Sequence, residues 1–150
     1  MIGLISDTHG LVRPEALRAL AGCDLIIHAG DIGSPAVLAA LRELAPVRAV
    51  RGNNDRDAWA SDLAEVEVVH IAGVRLLVGH DVRALDVQRA PGPCAAVIAG
   101  HSHRPAIEER SGTLYVNPGS AGPRRFSLPV AVGKLYIAGR GVRAELIRLA

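Results

Sequence analysis

Five short polar clusters in this chain combine residue types that bind divalent cations. They read Ser6-Asp7-Thr8-His9-Gly10, His28-Ala29-Gly30-Asp31, Arg51-Gly52-Asn53-Asn54-Asp55, Gly79-His80-Asp81 and Gly100-His101-Ser102-His103. Side chains at i and i+2 on extended backbone point to the same side. Asp7 and His9 are therefore expected to converge on one site, as are His101 and His103. Imidazoles with carboxylates suit Mn, Fe, Co, Ni or Zn. Because thiolates are missing from the clusters, a structural Cys-type zinc site is excluded. Any one of these clusters is a weak signal, and the five in this order are a strong one. His70, in "VEVVHIAG", reads as an ordinary strand residue, and His28 as a buried one supporting the site from behind.

The elements that must position these clusters are apolar runs, one before each cluster. Strands are expected at Met1–Ser6, Asp24–His28 and Val47–Val50, with helices at Arg13–Ala21 and Pro35–Leu44 between them. Pro14 suits a first helical turn and Ser34 an N-cap. This β-α-β-α-β order signals a parallel sheet with crossover helices. In the second half, Val66–Ile71 and Val74–Val78 form an expected hairpin around Ala72-Gly73. A weak helix is expected at Ala84–Arg89, and strands at Cys94–Ala99, Ala106–Arg110, Thr113–Val116, Val130–Ile137 and Val142–Arg148. The expectation is an α/β protein whose sheet continues into antiparallel, hairpin-rich structure. The clusters then sit at strand ends, where open α/β sheets bind ligands.

Composition limits the function classes. The 150 residues fit one domain, 1–150, with no room for a separate cap or DNA-reading domain. Seventeen basic residues against fifteen acidic ones give +2, and aromatics make up 3%. That balance argues against binding of long nucleic acid and against base stacking. No apolar run reaches the ~20 residues of a membrane span. "MIGLISD" lacks the charged start of a signal peptide, and Cys23 and Cys94 are isolated, so a cytoplasmic location with free thiols is expected.

The succession D-x-H, G-D, G-N-x-D, G-H and G-H-x-H resembles the calcineurin-like metallophosphoesterases, most of all their small single-domain phosphodiesterase branch. The N-P-G-S element of that branch is here Asn117-Pro118-Gly119-Ser120. The resemblance implies two packed mixed β-sheets flanked by helices, a four-layer αββα arrangement, with a two-metal centre at the strand ends. By motif, Asp7, His9, Asp31 and His103 would hold one divalent ion. Asp31, Asn53, His80 and His101 would hold the other, with Asp31 bridging. Mn is the first expectation, with Ni, Co, Fe or Zn as alternatives. The implied reaction is hydrolysis of a small or exposed phosphodiester by a metal-bridged hydroxide, which needs no Ser or Cys nucleophile.

One position departs from the pattern. The wider family often carries G-N-H-D/E, and here the third residue is Asn54. An amide has no useful acidity near pH 7, so good leaving groups should be cleaved faster than alkoxides. Asn54 and Asp55 are the candidate catalytic positions, Asn54 toward the substrate and Asp55 as a support that orients an imidazole or as a turn cap. Arg104, Arg124 and Arg125 are candidates for holding a second phosphate oxygen, Arg104 first. Asn117 is expected to bond a ligand-bearing loop, and Gly119-Ser120 to turn tightly beside it. The expected partner is a phosphate-ester small molecule, and a homodimer is compatible with the resemblance. The alternatives are a phosphomonoesterase or phosphoprotein phosphatase, or a non-catalytic scaffold of the kind the retromer complex uses.

Overall fold

The computed structural model describes residues 1–85, 94–125, 127–139 and 141–149. Its first half follows the expected alternation. Strand β1 (Ile2–Ile5), helix α1 (Pro14–Leu20), β2 (Leu25–His28), α2 (Pro35–Arg42) and β3 (Val47–Ala49) come in order. Pro14 opens α1, and the Ser34 hydroxyl accepts the Ala36 N–H at 3.1 Å to cap α2. The three strands pair in parallel, β1 with β2 and β2 with β3.

The second half forms the second mixed sheet that the resemblance implies, where strand periodicity alone suggested one continuing sheet. Strands β4 (Val66–Ile71), β5 (Val74–Gly79), β6 (Ala96–Ile98), β7 (Ala106–Arg110) and β8 (Thr113–Asn117) make a second sheet in the order β4-β5-β6-β8-β7. Its outer pairs are antiparallel, but β5, β6 and β8 run parallel. The last hairpin, β9 (Ala131–Ala138) with β10 (Gly141–Arg148), returns to the first sheet and extends it as β10-β9-β1-β2-β3. The β4–β5 turn lies where expected, with Ala72 and Gly73 both at positive φ. The helix expected at Ala84–Arg89 lies mostly outside the described residues; a short 3-10 turn covers Val82–Ala84.

Two mixed sheets face each other across one core. Ile2, Leu4 and Ile27 of the first sheet pack with Leu76, Val78, Ala96 and Ile98 of the second. The alternate residues Ile5 and Ile26 point outward onto Ala16 and Leu20 of α1 and Val37, Leu38 and Leu41 of α2. Strands buried on both faces read as unbroken apolar runs, so the clusters that follow them stood out. On the far side of the second sheet, Leu77 and Val97 pack with Leu85 and Tyr115. Among the described residues, no helix is long and apolar enough to cross a membrane.

Candidate metal centre

The carboxyl ends of β1 and β2 from one sheet, and of β5 and β6 from the other, deliver the polar clusters to one place. Ser6 through Gly10 follows β1, Gly30-Asp31 follows β2, His80 follows β5, and Gly100 through His103 follows β6. The five histidine and aspartate ligand candidates on these loops other than His80 do not converge by extended geometry. Asp7, His9, Asp31, His101 and His103 all have positive φ, between 47° and 71°. Left-handed backbone is uncommon outside glycine, though Asp and His tolerate it better than most residues, and it clusters at functional sites. Left-handed turns, not the extended backbone expected from the spacing, set the directions of these side chains.

Cross-loop hydrogen bonds hold these conformations. Asp7 N–H donates to Gly30 C=O and His9 N–H to Asp31 C=O, both at 3.0 Å. Gly100 N–H donates to His80 C=O at 2.9 Å. Gly100 also has to be glycine: a Cβ there would run into the Ser6 hydroxyl and the Asp7 carboxylate.

Asp7 is the centre of the arrangement. Its side chain is fully buried. Oδ2 accepts from the Ser6 hydroxyl at 2.8 Å and from His101 N–H at 3.1 Å. Oδ1 has no hydrogen-bond partner. Around Oδ1 stand three imidazole nitrogens: Nε2 of His103 at 3.4 Å, of His80 at 3.8 Å and of His9 at 4.0 Å. Asp31 sits opposite, its Oδ2 3.2 Å from His80 Nε2 and 3.9 Å from His9 Nε2. Nε2 of His9 faces Nε2 of His103 at 3.5 Å, and His101 Nδ1 faces His80 Nε2 at 3.3 Å. Imidazole nitrogens facing one another beside an unpartnered buried carboxylate oxygen form an electron-pair-rich pocket that a cation satisfies. Two overlapping sets, Asp7/His9/His103 and Asp7/Asp31/His80, have donor atoms within 4.8 Å of one another. Both sets include Asp7, so by geometry it stands between them at least as much as Asp31. A divalent metal therefore fits the donor set.

The electrostatics agree. Burial pushes the Asp7 carboxyl up, against the Ser6 hydrogen bond and the nearby imidazoles. Burial would raise Asp31 as well, but hydrogen bonds from His80 and the Asn54 N–H outweigh it and hold Asp31 at about 2. Burial opposes protonation of His80, yet contacts with Asp31, the Ala29 carbonyl and Asp7 raise it overall. The Nδ1–H of His80 donates to that carbonyl at 2.8 Å, so Nε2 is the atom aimed at the carboxylates.

His28 is fully buried behind the site. Thr8 Oγ1 donates to Ile32 C=O at 2.8 Å, so it must accept the Nε2–H of His28 at 3.0 Å. His28 Nδ1 accepts Gly30 N–H at 3.1 Å. One neutral imidazole thereby ties the loop after β1 to the loop after β2, and burial lowers its pKa to about 3. Asn117 clamps the loop after β6, donating to Gly100 C=O and to Ser102 Oγ, each at 3.0 Å. Gly119 turns at a φ of 82°. The Ser120 hydroxyl donates to Asp7 C=O at 3.0 Å. The sequence assigned no role to Ser6 and only a turn to Ser120; their position beside Asp7 and in the N-P-G-S element was the available signal.

Four further expected positions lie around this centre or away from it. Asn54 is exposed, and its N–H and its side-chain amide each donate to the Asp31 carboxylate at 3.0 Å. For Asp55 the contacts fit the turn-cap alternative. Its buried carboxylate accepts N–H groups of Ile32, Gly33 and Gly52 at 2.9–3.0 Å, tying the loop after β2 to the loop after β3. Arg104 is exposed and lines a separate groove with Val97 and Tyr115 on the outer side of the second sheet. Asn53 lies on an exposed turn and lines an open cleft with His80 and His101. Asp81 caps the Val82–Ala84 turn and pairs with Arg83 at 3.1 Å. Cys23 and Cys94 are free and buried.

Comparison with known proteins places this geometry. The calcineurin-like phosphoesterase superfamily domain matches residues 1–138. A Methanothermobacter thermautotrophicus protein named as a probable metallophosphoesterase is 36% identical, over 99% of this chain and 92% of its own length. Among solved structures, an archaeal phosphodiesterase superposes with a TM-score of 0.78 at 25% identity, covering 97% of this chain and 99% of that one. Vps29 from Entamoeba histolytica superposes with a TM-score of 0.76 at 23% identity, covering 99% of both chains, and shows the shared fold. With its motifs gathered at one end of two facing sheets and the domain matched over nearly all its length, this chain belongs to the calcineurin-like phosphoesterase superfamily.

Proposed function

We propose that this chain, acting as one domain, is a metal-dependent phosphodiesterase that hydrolyses a small or exposed phosphodiester. The observation that carries the reading is Asp7 Oδ1, buried, without a hydrogen-bond partner and faced by three imidazole nitrogens. In this reading Asp7, His9, Asp31 and His103 hold one divalent ion and Asp31, Asn53, His80 and His101 the other, Mn²⁺ being the first choice and Ni, Co, Fe or Zn the alternatives. The ions would supply Lewis acidity toward phosphoryl oxygens and a water acidic enough to deprotonate near neutral pH.

The protein's own groups prepare the site. Ser6 and the His101 N–H hold one oxygen of Asp7 and leave the other turned inward. The Ala29 carbonyl fixes the His80 ring. Two carboxylates against two divalent ions leave an excess of positive charge by formal counting, which suits an anionic diester. Asn54 braces Asp31 and offers no acidic proton, so departure of a poor leaving group is unassisted at this position.

The test is hydrolysis of bis-nitrophenyl phosphate against nitrophenyl phosphate by metal-stripped protein titrated with Mn²⁺. Preferential diester cleavage that appears with Mn²⁺ supports the reading. Preferential monoester cleavage replaces it with a phosphomonoesterase. The fold likeness to Vps29 favours one other reading, a scaffold; it gains if neither ester is cleaved with Mn²⁺, Ni²⁺, Co²⁺ or Zn²⁺.

A further inference from the structure

Arg13 is the wrong residue for the start of α1. It stands at the N-cap, where Ser, Thr, Asp or Asn would accept a free amide of the first turn. A guanidinium carries donors only and cannot cap. Its charge is also unfavourable beside the positive end of the helix dipole. A residue that breaks the local rules twice marks a position decided by a different contact.

That contact lies 109 residues away in sequence: Nε–H and Nη2–H of the half-buried Arg13 both donate to Gly122 C=O, at 3.3 and 3.1 Å. Gly122 ends a short strap, Ser120–Gly122, laid along the loop that carries Asp7 and His9. Ala121 N–H donates to Ser6 C=O and the Ser120 hydroxyl to Asp7 C=O, both at 3.0 Å. Gly122 approaches so closely that a Cβ would run into the carbonyls of Asp7 and Thr8. The same loop is tied on its other side to the residues after β2, through the N–H groups of Asp7, His9 and Gly10. The loop is thus held between two supports. The strap, one of them, is anchored at its start by Ala131 N–H on Ser120 C=O at 3.0 Å and at its end by Arg13.

We infer that Arg13 is a positioning residue for the metal centre: by pinning Gly122 it presses the strap against the loop after β1 and keeps Asp7 and His9 in their left-handed conformations. It acts through that loop and not on an ion or a substrate. A forked, charge-assisted donor suits the task, because its bonds are stronger than neutral ones and fixed in direction. The inference rests on the metal-dependent reading above and adds to it a group from helix α1.

Arg13→Met keeps the apolar stem and removes the donors; Arg18→Met, at an exposed position of the same helix, is the control. The first readout is amide hydrogen exchange in chelator, which needs no metal. Arg13→Met should speed exchange at Ala121 and His9 about tenfold or more and leave Val50 and Ala99, in the sheets, unchanged. The second is Mn²⁺ affinity by calorimetry, which should fall about tenfold or more, the scale of losing a group that orients metal ligands. Arg18→Met should alter neither. Should Arg13→Met fail to fold, Arg13→Lys, which keeps the charge and loses the fork, carries the same comparison. Exchange that changes nowhere, or as much at Val50 and Ala99 as at Ala121, overturns the inference and leaves the metal reading standing. Faster exchange at Ala121 with Mn²⁺ affinity intact, or an equal loss of affinity in Arg18→Met, likewise overturns the inference alone. Wild-type protein that binds no Mn²⁺ overturns the metal reading, and this inference with it.

Discussion

Replacing Asp55 separates holding the site together from performing chemistry in it. Its carboxylate is 4% exposed and accepts three backbone N–H groups. Oδ2 takes those of Ile32 and Gly52, and Oδ1 that of Gly33. Asp55→Ala strands all three donors. A buried donor left without a partner costs roughly 1–3 kcal/mol, and water entering the space left by the carboxylate recovers part of the sum. The net expectation is about 3–5 kcal/mol of lost stability. Asp55→Asn can keep its carbonyl oxygen on Ile32 and Gly52 while its NH₂ faces the Gly33 N–H, so its loss should be smaller, about 1–3 kcal/mol. Urea unfolding followed by circular dichroism, in chelator at pH 7, measures both. The same loops carry Asp31 and Asn53, so Mn²⁺ affinity by calorimetry should weaken in the same order, Ala more than Asn. A loss below about 1 kcal/mol for Asp55→Ala, or equal losses for the two variants, would refute the three-donor account.

Further expectations concern pH, metal and leaving group. His28 stays neutral in the fold down to about 3, while its ordinary value is 6.5. Below pH 6.5 the unfolded chain takes up a proton that the native state refuses, so this stability is intact above 6.5 and is lost progressively toward 3. Between pH 7 and pH 5 the loss from this one group is about 2 kcal/mol, and His28→Gln should flatten that limb of the urea-unfolding profile; an unchanged slope would contradict the buried-neutral assignment. Mn²⁺ at a hundredfold excess over its dissociation constant should stabilise the fold by about 2.7 kcal/mol, and Asp7→Asn should abolish that gain; a melting temperature indifferent to Mn²⁺ in the wild type would argue against metal binding. Asn54→His should raise turnover of alkyl diesters relative to nitrophenyl ones, on the order of tenfold or more. An unchanged ratio would mean that the leaving group takes its proton elsewhere.

The sequence made the first half of the fold legible because β1, α1, β2, α2 and β3 switch cleanly between short apolar runs and helical spacing. Partnership between strands was not legible. Nothing in the periodicity of Val66–Ile71 says that it leaves the first sheet, or that Ala131–Ala138 comes back to pair with β1. The site divides the same way. Residue types and order picked out Asp7, His9, Asp31, His80, His101 and His103, which the fold brings together. The left-handed backbone at five of those positions was invisible, because spacing carries no dihedral information. The distant partners of Asn54 and Asp55 were not legible for a related reason: Asp31 and the Ile32–Gly33 backbone lie 22 or 23 residues away. Arg104 sits one residue from His103 in sequence, and its side chain lines a different surface.

The return of β9 to the first sheet has a consequence for the order in which the molecule can be completed. A ribosome releases β1 first, yet one of the two flanks of β1 stays bare until residues 131–138 emerge to pair with it. The Ser120 hydroxyl that braces the Asp7 carbonyl is also made late. During synthesis the Asp7 loop therefore waits, half-supported, for the last fifth of the chain. Contacts of such long sequence separation slow folding, and a bare flank is open to other strands in the meantime. A nascent chain stalled after residue 125 would carry every ligand candidate and still lack the strand that flanks β1, from which the first of them leaves.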